Sequence, residues 1–179
     1  PGDPHGLGGS TGRMALYDNP TLQAIDDIDE MYQGYGMPSA GKFMKNVAAA
    51  ESNLGMDEMG DHSFSPFQID DIRYDDIVGR ATENPGSSAW NRANQANEYL
   101  RGKLGRDDFD ILNLNLRDEG HNPYIGAALT RMALGNLPSD IPEDLESQAD
   151  YWKQNWNTEA GAGTPEHFME QSRVHFPDS

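Results

Sequence analysis

The apolar residues of this chain recur at helical spacing in one short segment after another, and this pattern restricts the fold more than any other feature. In the first segment, residues 20–33, they are Leu22, Ile25, Ile28 and Met31. Spacings of three and four residues place side chains on one face of an α-helix. No segment alternates apolar and polar residues over the about four to eight positions typical of a strand. The sequence therefore predicts an all-α or mainly α fold.

Residues that favour helix starts and ends divide the chain into predicted helices. Helices begin preferentially after Ser, Thr, Asp or Asn, accept Pro at their first position and end before Gly. Ser39 is the predicted N-cap of a helix that contains residues 43–52, and Trp90 is assigned to the core. The other predicted helices cover residues 20–33, 70–79, 87–105, 123–135, 142–158 and 164–176.

Length and charge limit the domain organisation and the partners. The chain has 179 residues, enough for one domain with its own core. We assign residues 20–179 to this domain and residues 1–19, which are rich in Gly and Pro, to a flexible arm or linker. The net charge of −17 disfavours nucleic-acid binding through the domain surface, because phosphate contacts need a basic patch.

Several other classes of segment and site are not predicted. No apolar run approaches the roughly 18 residues of a membrane-spanning helix, and residues 1–15 lack the apolar core of a signal peptide. The chain begins at Pro1 rather than Met, which is typical of a processed product or of part of a longer protein. There is no cysteine, and the histidines lack the spacing of a zinc site, so we predict no metal.

A nucleotide-binding loop is the one cofactor motif that the sequence approaches. GMPSAGKF, residues 36–43, fits GxxxxGK, but Phe43 stands where the motif needs Ser or Thr, and no strand precedes it. We therefore predict no cofactor.

FMKNVAAAESNLG, residues 43–55, places a carboxylate on an apolar helix face. At about 100° per residue, Glu51 shares one stripe with Phe43 and Val47. Burial disfavours the charged form of a carboxyl and raises its pKa. A carboxyl that stays protonated near neutral pH can act as a general acid and protonate a glycosidic oxygen. The structural alternative is that Glu51 pairs internally or turns to solvent at the last helical turn.

The residues around Glu51 resemble those of a known superfamily. ESNLG ends the helix, and SFSPFQID, residues 63–70, follows after a loop. This pair resembles the lysozyme-like superfamily of goose-type lysozymes and lytic transglycosylases. In that superfamily a helix ends in Glu-Ser, and the next loop carries a small-residue turn, an apolar residue, Gln and Ile. Ser65 and Pro66 stand where the family usually has a glycine.

Two later segments follow in the order of the family. NPYIGAALTRMAL, residues 122–134, resembles its Asn-initiated apolar helix behind the cleft, and YWKQNWNTEAGAGTPEHFMEQ, residues 151–171, resembles the C-terminal segment of phage-encoded members. The resemblance covers residues 39–176. It implies a lysozyme-like helical domain with a catalytic Glu at a helix end beside a cleft.

The resemblance implies that Glu51 is the sole catalytic acid and base. It would cleave the β-1,4 bond between N-acetylmuramic acid and N-acetylglucosamine in peptidoglycan. Attack by the muramic 6-hydroxyl gives an anhydro product, as in a lytic transglycosylase, whereas attack by water makes the enzyme a muramidase. Two-carboxylate hydrolysis needs a second acid, for which Asp57, Glu58 and Asp61 are the nearby candidates. We favour the one-carboxylate, substrate-assisted scheme.

The resemblance also implies a set of substrate-binding residues: Ser52, Ser65, Phe67, Gln68, Tyr124, Tyr151 and Trp152. Each has an alternative as a packing or hydrogen-bonding residue of the fold. Aromatic faces stack on sugar rings, but aromatic residues at helical spacing are also typical of a core.

The expected function is that of a virion-associated lytic transglycosylase that aids phage DNA entry. Its expected partners are peptidoglycan glycan strands and virion tail or internal proteins, and it would act in the bacterial periplasm or cell wall. The alternatives are a hydrolytic muramidase and a non-enzymatic virion structural protein with a lysozyme-like fold. The net charge of −17 and the altered Ser65–Pro66 step favour the structural alternative.

Overall fold

Eight α-helices form in residues 18–58, 60, 62–158 and 161–178, which are the residues that the computed structural model describes. They are α1 Pro20–Gly34, α2 Gly41–Ser52, α3 Asp71–Glu83, α4 Ser88–Leu104, α5 Leu116–Glu119, α6 Pro123–Gly135, α7 Leu145–Trp152 and α8 Pro165–His175. A π-helical turn, Lys153–Asn157, continues α7. The predicted all-α class is confirmed.

Two short strands, β1 Ser63–Phe64 and β2 Ile69–Asp70, form an antiparallel hairpin between α2 and α3. The sequence did not predict them, because two residues per strand are too few to show an alternating pattern. We call residues 63–70 the hairpin.

Polar side chains cap most of the helices at the predicted places. The side chains of Ser87, Asn122 and Thr164 accept hydrogen bonds from first-turn N–H groups of α4, α6 and α8. Such caps satisfy donors that have no partner within the helix. Gly105 follows α4 in the left-handed conformation typical of a helix end. The predicted helices at 87–105, 123–135 and 164–176 are therefore confirmed to within one residue at each end.

The prediction that Ser39 caps α2 is wrong. The N-cap position belongs to Ala40, and the carboxylate of Asp29 from α1 lies beside it. Asp29 Oδ1 accepts from the Ala40 N–H at 2.8 Å, and Oδ2 accepts from the Ser39 hydroxyl at 2.7 Å. Asp29, a residue of α1, therefore holds the start of α2 in place of a nearby side chain. Sequence spacing alone does not reveal such a contact between helices.

Three further predictions differ from the structure. Trp90 is 37% exposed rather than in the core, because α4 directs Ala93 and Leu100 inward and leaves the first turn at the surface. The helix at 70–79 runs on to Glu83, and the segment at 142–158 is regular α-helix only over Leu145–Trp152.

Helix α6 is the centre of the core, as its apolar sequence suggests. Every residue from Ile125 to Leu134 is buried, and the helix packs against α1, α2, α3 and α4. Helix α8 lies against α2 and α7 on another side of the domain. This arrangement places the C-terminal end of α2, and with it Glu51, between the hairpin and the segment that leads from α7 to α8.

Most of the predicted arm, residues 1–17, lies outside the described residues. Asn19, which the sequence assigned to the arm, is buried and caps α1. Its Nδ2 donates to the Leu54 carbonyl at 3.1 Å, so the start of α1 is tied to the turn after Glu51. Within the described residues, no helix has the length and apolar character needed to cross a membrane.

The hairpin turn contacts α6 so closely that only glycine fits at position 126. A Cβ there would lie 2.5 Å from the Ser65 Cβ and 2.8 Å from its Oγ. We therefore expect Gly126→Ala to destabilise the fold by about 1–3 kcal/mol, the usual cost of overpacking. Urea denaturation measures this. Gly102→Ala is the control, because a Cβ at that α4 position contacts nothing within 4 Å. An equal effect of the two changes would contradict the close contact.

Candidate active site

Glu51 lies in the last turn of α2, half-buried, as its place on the apolar stripe predicts. The chain turns away directly after it, because Asn53 and Leu54 adopt left-handed backbone angles, with φ of 53° and 58°. The Trp152 indole Nε1 donates to Glu51 Oε2 at 2.9 Å. Glu51 is therefore held by a side chain from the end of α7, about a hundred residues further along the chain.

Burial raises the pKa of Glu51 from its ordinary value of 4.5 to about 7. The Trp152 hydrogen bond and the charges of Arg73, His167 and Lys153 act in the opposite direction, because they favour the carboxylate. Among the described residues, the charged groups named for the Glu51 pKa all lower it. A carboxyl with this pKa can both donate and accept a proton near neutral pH.

Two pockets meet at Glu51. The first has a volume of about 480 Å³, and we call it the α8 pocket; it is lined by Ala50, Glu51, Trp152, Asn157, Ala162, Gly163, Thr164 and His167. The second has a volume of about 660 Å³, and we call it the hairpin pocket; it is lined by Glu51, Ser63, Gln68, Asp70, Ile72, Arg73, Asp76, Trp156, Asn157, Thr158 and Gly161. Each is within the usual size range of ligand pockets.

Ser52 fixes the hairpin to the end of α2. Its hydroxyl donates to the Pro66 carbonyl at 2.6 Å and accepts from the Gly55 N–H at 2.8 Å. The Trp156 indole adds a second attachment by donating to the Phe67 carbonyl at 3.1 Å. The residue after the catalytic candidate therefore positions one wall of the hairpin pocket.

Ser65 adopts the backbone conformation that favours glycine, with φ of 70°. This is one of the two positions at which the sequence departs from the usual glycine of the superfamily. Ser65 is buried, and its Oγ accepts from the Phe67 N–H at 3.1 Å, which compensates part of the backbone strain.

Gln68 is one of two predicted substrate-binding residues that share a pocket with Glu51, and Trp152 is the other. Gln68 lines the hairpin pocket, has φ of 55°, and donates through Nε2 to the Ser65 carbonyl at 3.1 Å. Ser52, Ser65 and Phe67 are buried beneath it and shape the turn; none of the three is among the residues that line either pocket.

The other three aromatic residues of the predicted set, besides Phe67, have different places. Trp152 lines the α8 pocket and bonds Glu51. Tyr151 is buried against Phe43, and its hydroxyl donates to the Ser139 carbonyl at 3.0 Å. The Tyr124 hydroxyl donates to Asp27 at 2.5 Å, and this side chain lines neither pocket.

The sequence did not identify Arg73, Asn157 or His167. The Arg73 guanidinium lies 4.0 Å from the centroid of the Trp156 ring and donates to the Trp156 carbonyl at 2.7 Å. His167 Nε2 lies 3.0 Å from the Ala50 carbonyl, so this nitrogen carries the proton. These positions depend on long-range packing. The one available signal was that Asn157 belongs to the segment that resembles phage-encoded members.

Strained backbone is concentrated around Glu51. Within the described residues, the non-glycine residues with positive φ are Asn53, Leu54, Ser65, Gln68 and Thr158. They belong to the turn after α2, the hairpin and the end of the π-helical turn, and all three segments border the site. Such conformations cost about 1–3 kcal/mol each and are concentrated at functional sites.

Of the predicted loop acids, Asp57 and Glu58 line neither pocket, and the carboxylates that share a pocket with Glu51 in the described part of the chain are Asp70 and Asp76. No group of three His, Asp or Glu residues there is close enough to hold a metal ion. Asp57 and Glu58 are exposed, and the Asn53 amide donates to Asp57 at 3.5 Å. Asp61 lies outside the described residues.

Comparison with known proteins adds no relative. No family model matches the chain, and no curated protein or solved structure shows significant similarity to it. The geometry around Glu51 and the resemblance of the short motifs are therefore the basis for assigning a function.

The Trp152 indole is expected to lower the Glu51 pKa, because its N–H bonds the carboxylate. Trp152→Phe keeps a large aromatic ring and removes the donor, so the Glu51 pKa should move further up. Carbon-detected NMR titration of the Glu51 carboxyl measures this. Trp90→Phe, at an exposed position, is the matched control and should leave the titration unchanged. An unchanged Glu51 pKa in Trp152→Phe would contradict the role of the hydrogen bond.

The raised pKa also makes Glu51 a source of instability that depends on pH. Between about pH 4.5 and 7 the folded state binds more protons than the unfolded state, so stability falls as the pH rises. Glu51→Gln removes this loss. Its gain over the parent protein should be near zero at about pH 4 and grow to about 3 kcal/mol at about pH 8.

Denaturant unfolding across this pH range tests that gain. Glu170→Gln, at an exposed position on α8, is the control for loss of a carboxylate. A gain from Glu51→Gln that stays constant from about pH 4 to about pH 8 would show that burial does not control the Glu51 proton.

Proposed function

We propose that this chain is a peptidoglycan lytic transglycosylase with a lysozyme-like fold. It cleaves the β-1,4 bond between N-acetylmuramic acid and N-acetylglucosamine. The observation that supports this function most strongly is the place of Glu51. A half-buried carboxyl with a pKa of about 7 stands where two pockets meet, so a glycan that occupied both pockets would pass over it.

In the first step, the protonated Glu51 carboxyl donates its proton to the glycosidic oxygen as the bond to the muramic C1 breaks and the acetamido oxygen of the same sugar bonds to C1. In the second step, the Glu51 carboxylate accepts the proton of the muramic 6-hydroxyl as that oxygen bonds to C1 and the bond from C1 to the acetamido oxygen breaks. The carboxylate that exists between the two steps is stabilised by the Trp152 N–H and by the charges of Arg73, His167 and Lys153. Glu51 ends protonated and ready for the next cleavage.

Among the described residues, no acid is one of the groups that shift the Glu51 pKa, and this favours the anhydro product. Two-carboxylate hydrolysis needs a second carboxylate about 5–10 Å away to act as nucleophile or to activate water. Asp70 and Asp76 line the hairpin pocket but have other partners. Asp70 caps α3 by accepting from the Arg73 N–H at 2.7 Å, and Asp76 pairs with Arg80 at 3.0 Å.

The biological setting of this proposal follows from the phage-like C-terminal segment. The domain acts as a virion-associated enzyme on peptidoglycan strands in the periplasm or cell wall, in company with tail or internal virion proteins. It opens the wall for DNA entry. The net charge of −17 does not argue against a polyanionic wall at the site itself, because Arg73, Lys153 and His167 surround Glu51.

Mass spectrometry of purified peptidoglycan, digested with the parent protein and with Glu51→Gln, tests the function. We expect anhydromuropeptides from the parent protein and a loss of at least about 100-fold in the variant, the scale of general-acid catalysis. Reducing-end products that depend on Glu51 would make the protein a muramidase. No product from either folded protein would refute the enzymatic function and favour the virion structural alternative.

A further inference from the structure

Asn157 shares the junction of the two pockets with Glu51. Of the described residues, only these two line both the α8 pocket and the hairpin pocket. A ligand that extends from one pocket into the other therefore passes both side chains. Nothing in the reaction described above uses Asn157.

The orientation of the Asn157 amide is fixed by a cation. Lys153 Nζ donates to Asn157 Oδ1 at 2.8 Å and to the Gly161 carbonyl at 3.0 Å. An ammonium group only donates hydrogen bonds, so the amide oxygen must face Lys153 and the amide nitrogen must face away from it. Asn157 Nδ2 has no acceptor among the described residues. The side chain thus presents two N–H donors at the site with no partner in the described part of the fold.

The backbone around Asn157 is conformationally strained. Asn157 ends the π-helical turn, an element that is frequent at functional sites. Thr158 follows with φ of 64° and ψ of 176°, a region that is almost restricted to glycine. A Cβ at Gly161 would collide with the Asn157 amide, and a Cβ at Gly163 would collide with the Trp152 ring. The segment keeps this side chain in place although a regular helix would be less strained.

We propose, on the basis of the function above, that Asn157 is a substrate-binding residue whose amide donates to the acetamido carbonyl of a sugar beside Glu51. A carbonyl oxygen is a good acceptor for an amide N–H group. On the sugar rings, the acetamido carbonyl is the strongest uncharged acceptor, since hydroxyl and ring oxygens are weaker. Asn157 thereby makes the junction of the two pockets selective for N-acetylated sugars.

Binding of two neutral oligosaccharides to Glu51→Gln, which cannot turn over, tests the proposal. N-acetylated chitotetraose carries the acetamido groups, and cellotetraose has hydroxyls in their place. In this background, we expect chitotetraose to bind more tightly by calorimetry. Adding Asn157→Asp, which has the same shape and keeps the Lys153 contact, should weaken chitotetraose binding about fivefold to tenfold, the value of one hydrogen bond. Cellotetraose binding should not change.

Two further variants make the result specific. Asn157→Ala removes the donors without adding a charge and should also abolish the preference for chitotetraose. Asn155→Asp adds the same charge two residues away, where the amide donates to the Tyr151 carbonyl at 3.1 Å outside both pockets, and should keep the preference. Circular dichroism establishes that each variant is folded.

The outcomes separate this proposal from the proposed function. If folded Asn157→Asp and Asn157→Ala retain the preference for chitotetraose, the role of Asn157 is refuted and the function of Glu51 is untouched. If neither oligosaccharide binds the Glu51→Gln parent, the glycan-cleaving function is refuted and the role of Asn157 with it.

Discussion

The desolvation of one carboxyl, that of Glu51, is the constraint on which the rest of the site depends. A carboxylate in this place is unfavourable by itself, and its pKa of about 7 expresses that cost. The Trp152 N–H and the surrounding cations limit the cost without cancelling it. The result is an acid that is close to half-protonated near neutral pH. The fold maintains it by packing α8 against the helix that carries it and α7 against α8.

The same segments that surround Glu51 hold the strained backbone of the described chain. The turn after α2, the hairpin and the end of the π-helical turn each contain non-glycine residues with positive φ. These segments are joined by few but specific bonds, such as those from Ser52 to Pro66 and from Trp156 to Phe67. Strain that persists because neighbouring contacts over-determine it is a property of preorganised sites. The segments that shape the two pockets therefore contain backbone conformations that lower the stability of the fold.

Local patterns predicted the helices and the place of Glu51, because periodicity and capping are local properties. They located the ends of α4, α6 and α8 closely and put Glu51 on the buried face. They did not reveal what depends on residues distant in sequence. Asp29 replaces Ser39 at the start of α2, and the Arg73 cation stacks on Trp156. Gln68, which the motif resemblance assigns to substrate binding, lines the hairpin pocket with Glu51, but the resemblance did not show that Ser52 acts as an attachment for the hairpin.

A crystal structure of Glu51→Gln with N-acetylated chitotetraose would show directly whether Glu51 faces a glycosidic oxygen. We expect a glycan chain that crosses from the α8 pocket to the hairpin pocket. One glycosidic oxygen should then lie within hydrogen-bond distance, about 3 Å, of the substituted side chain at that position. A chain that lies elsewhere on the surface, or that occupies the groove with every glycosidic oxygen far from this side chain, would contradict the claim that Glu51 is the acid of a glycan-cleaving site.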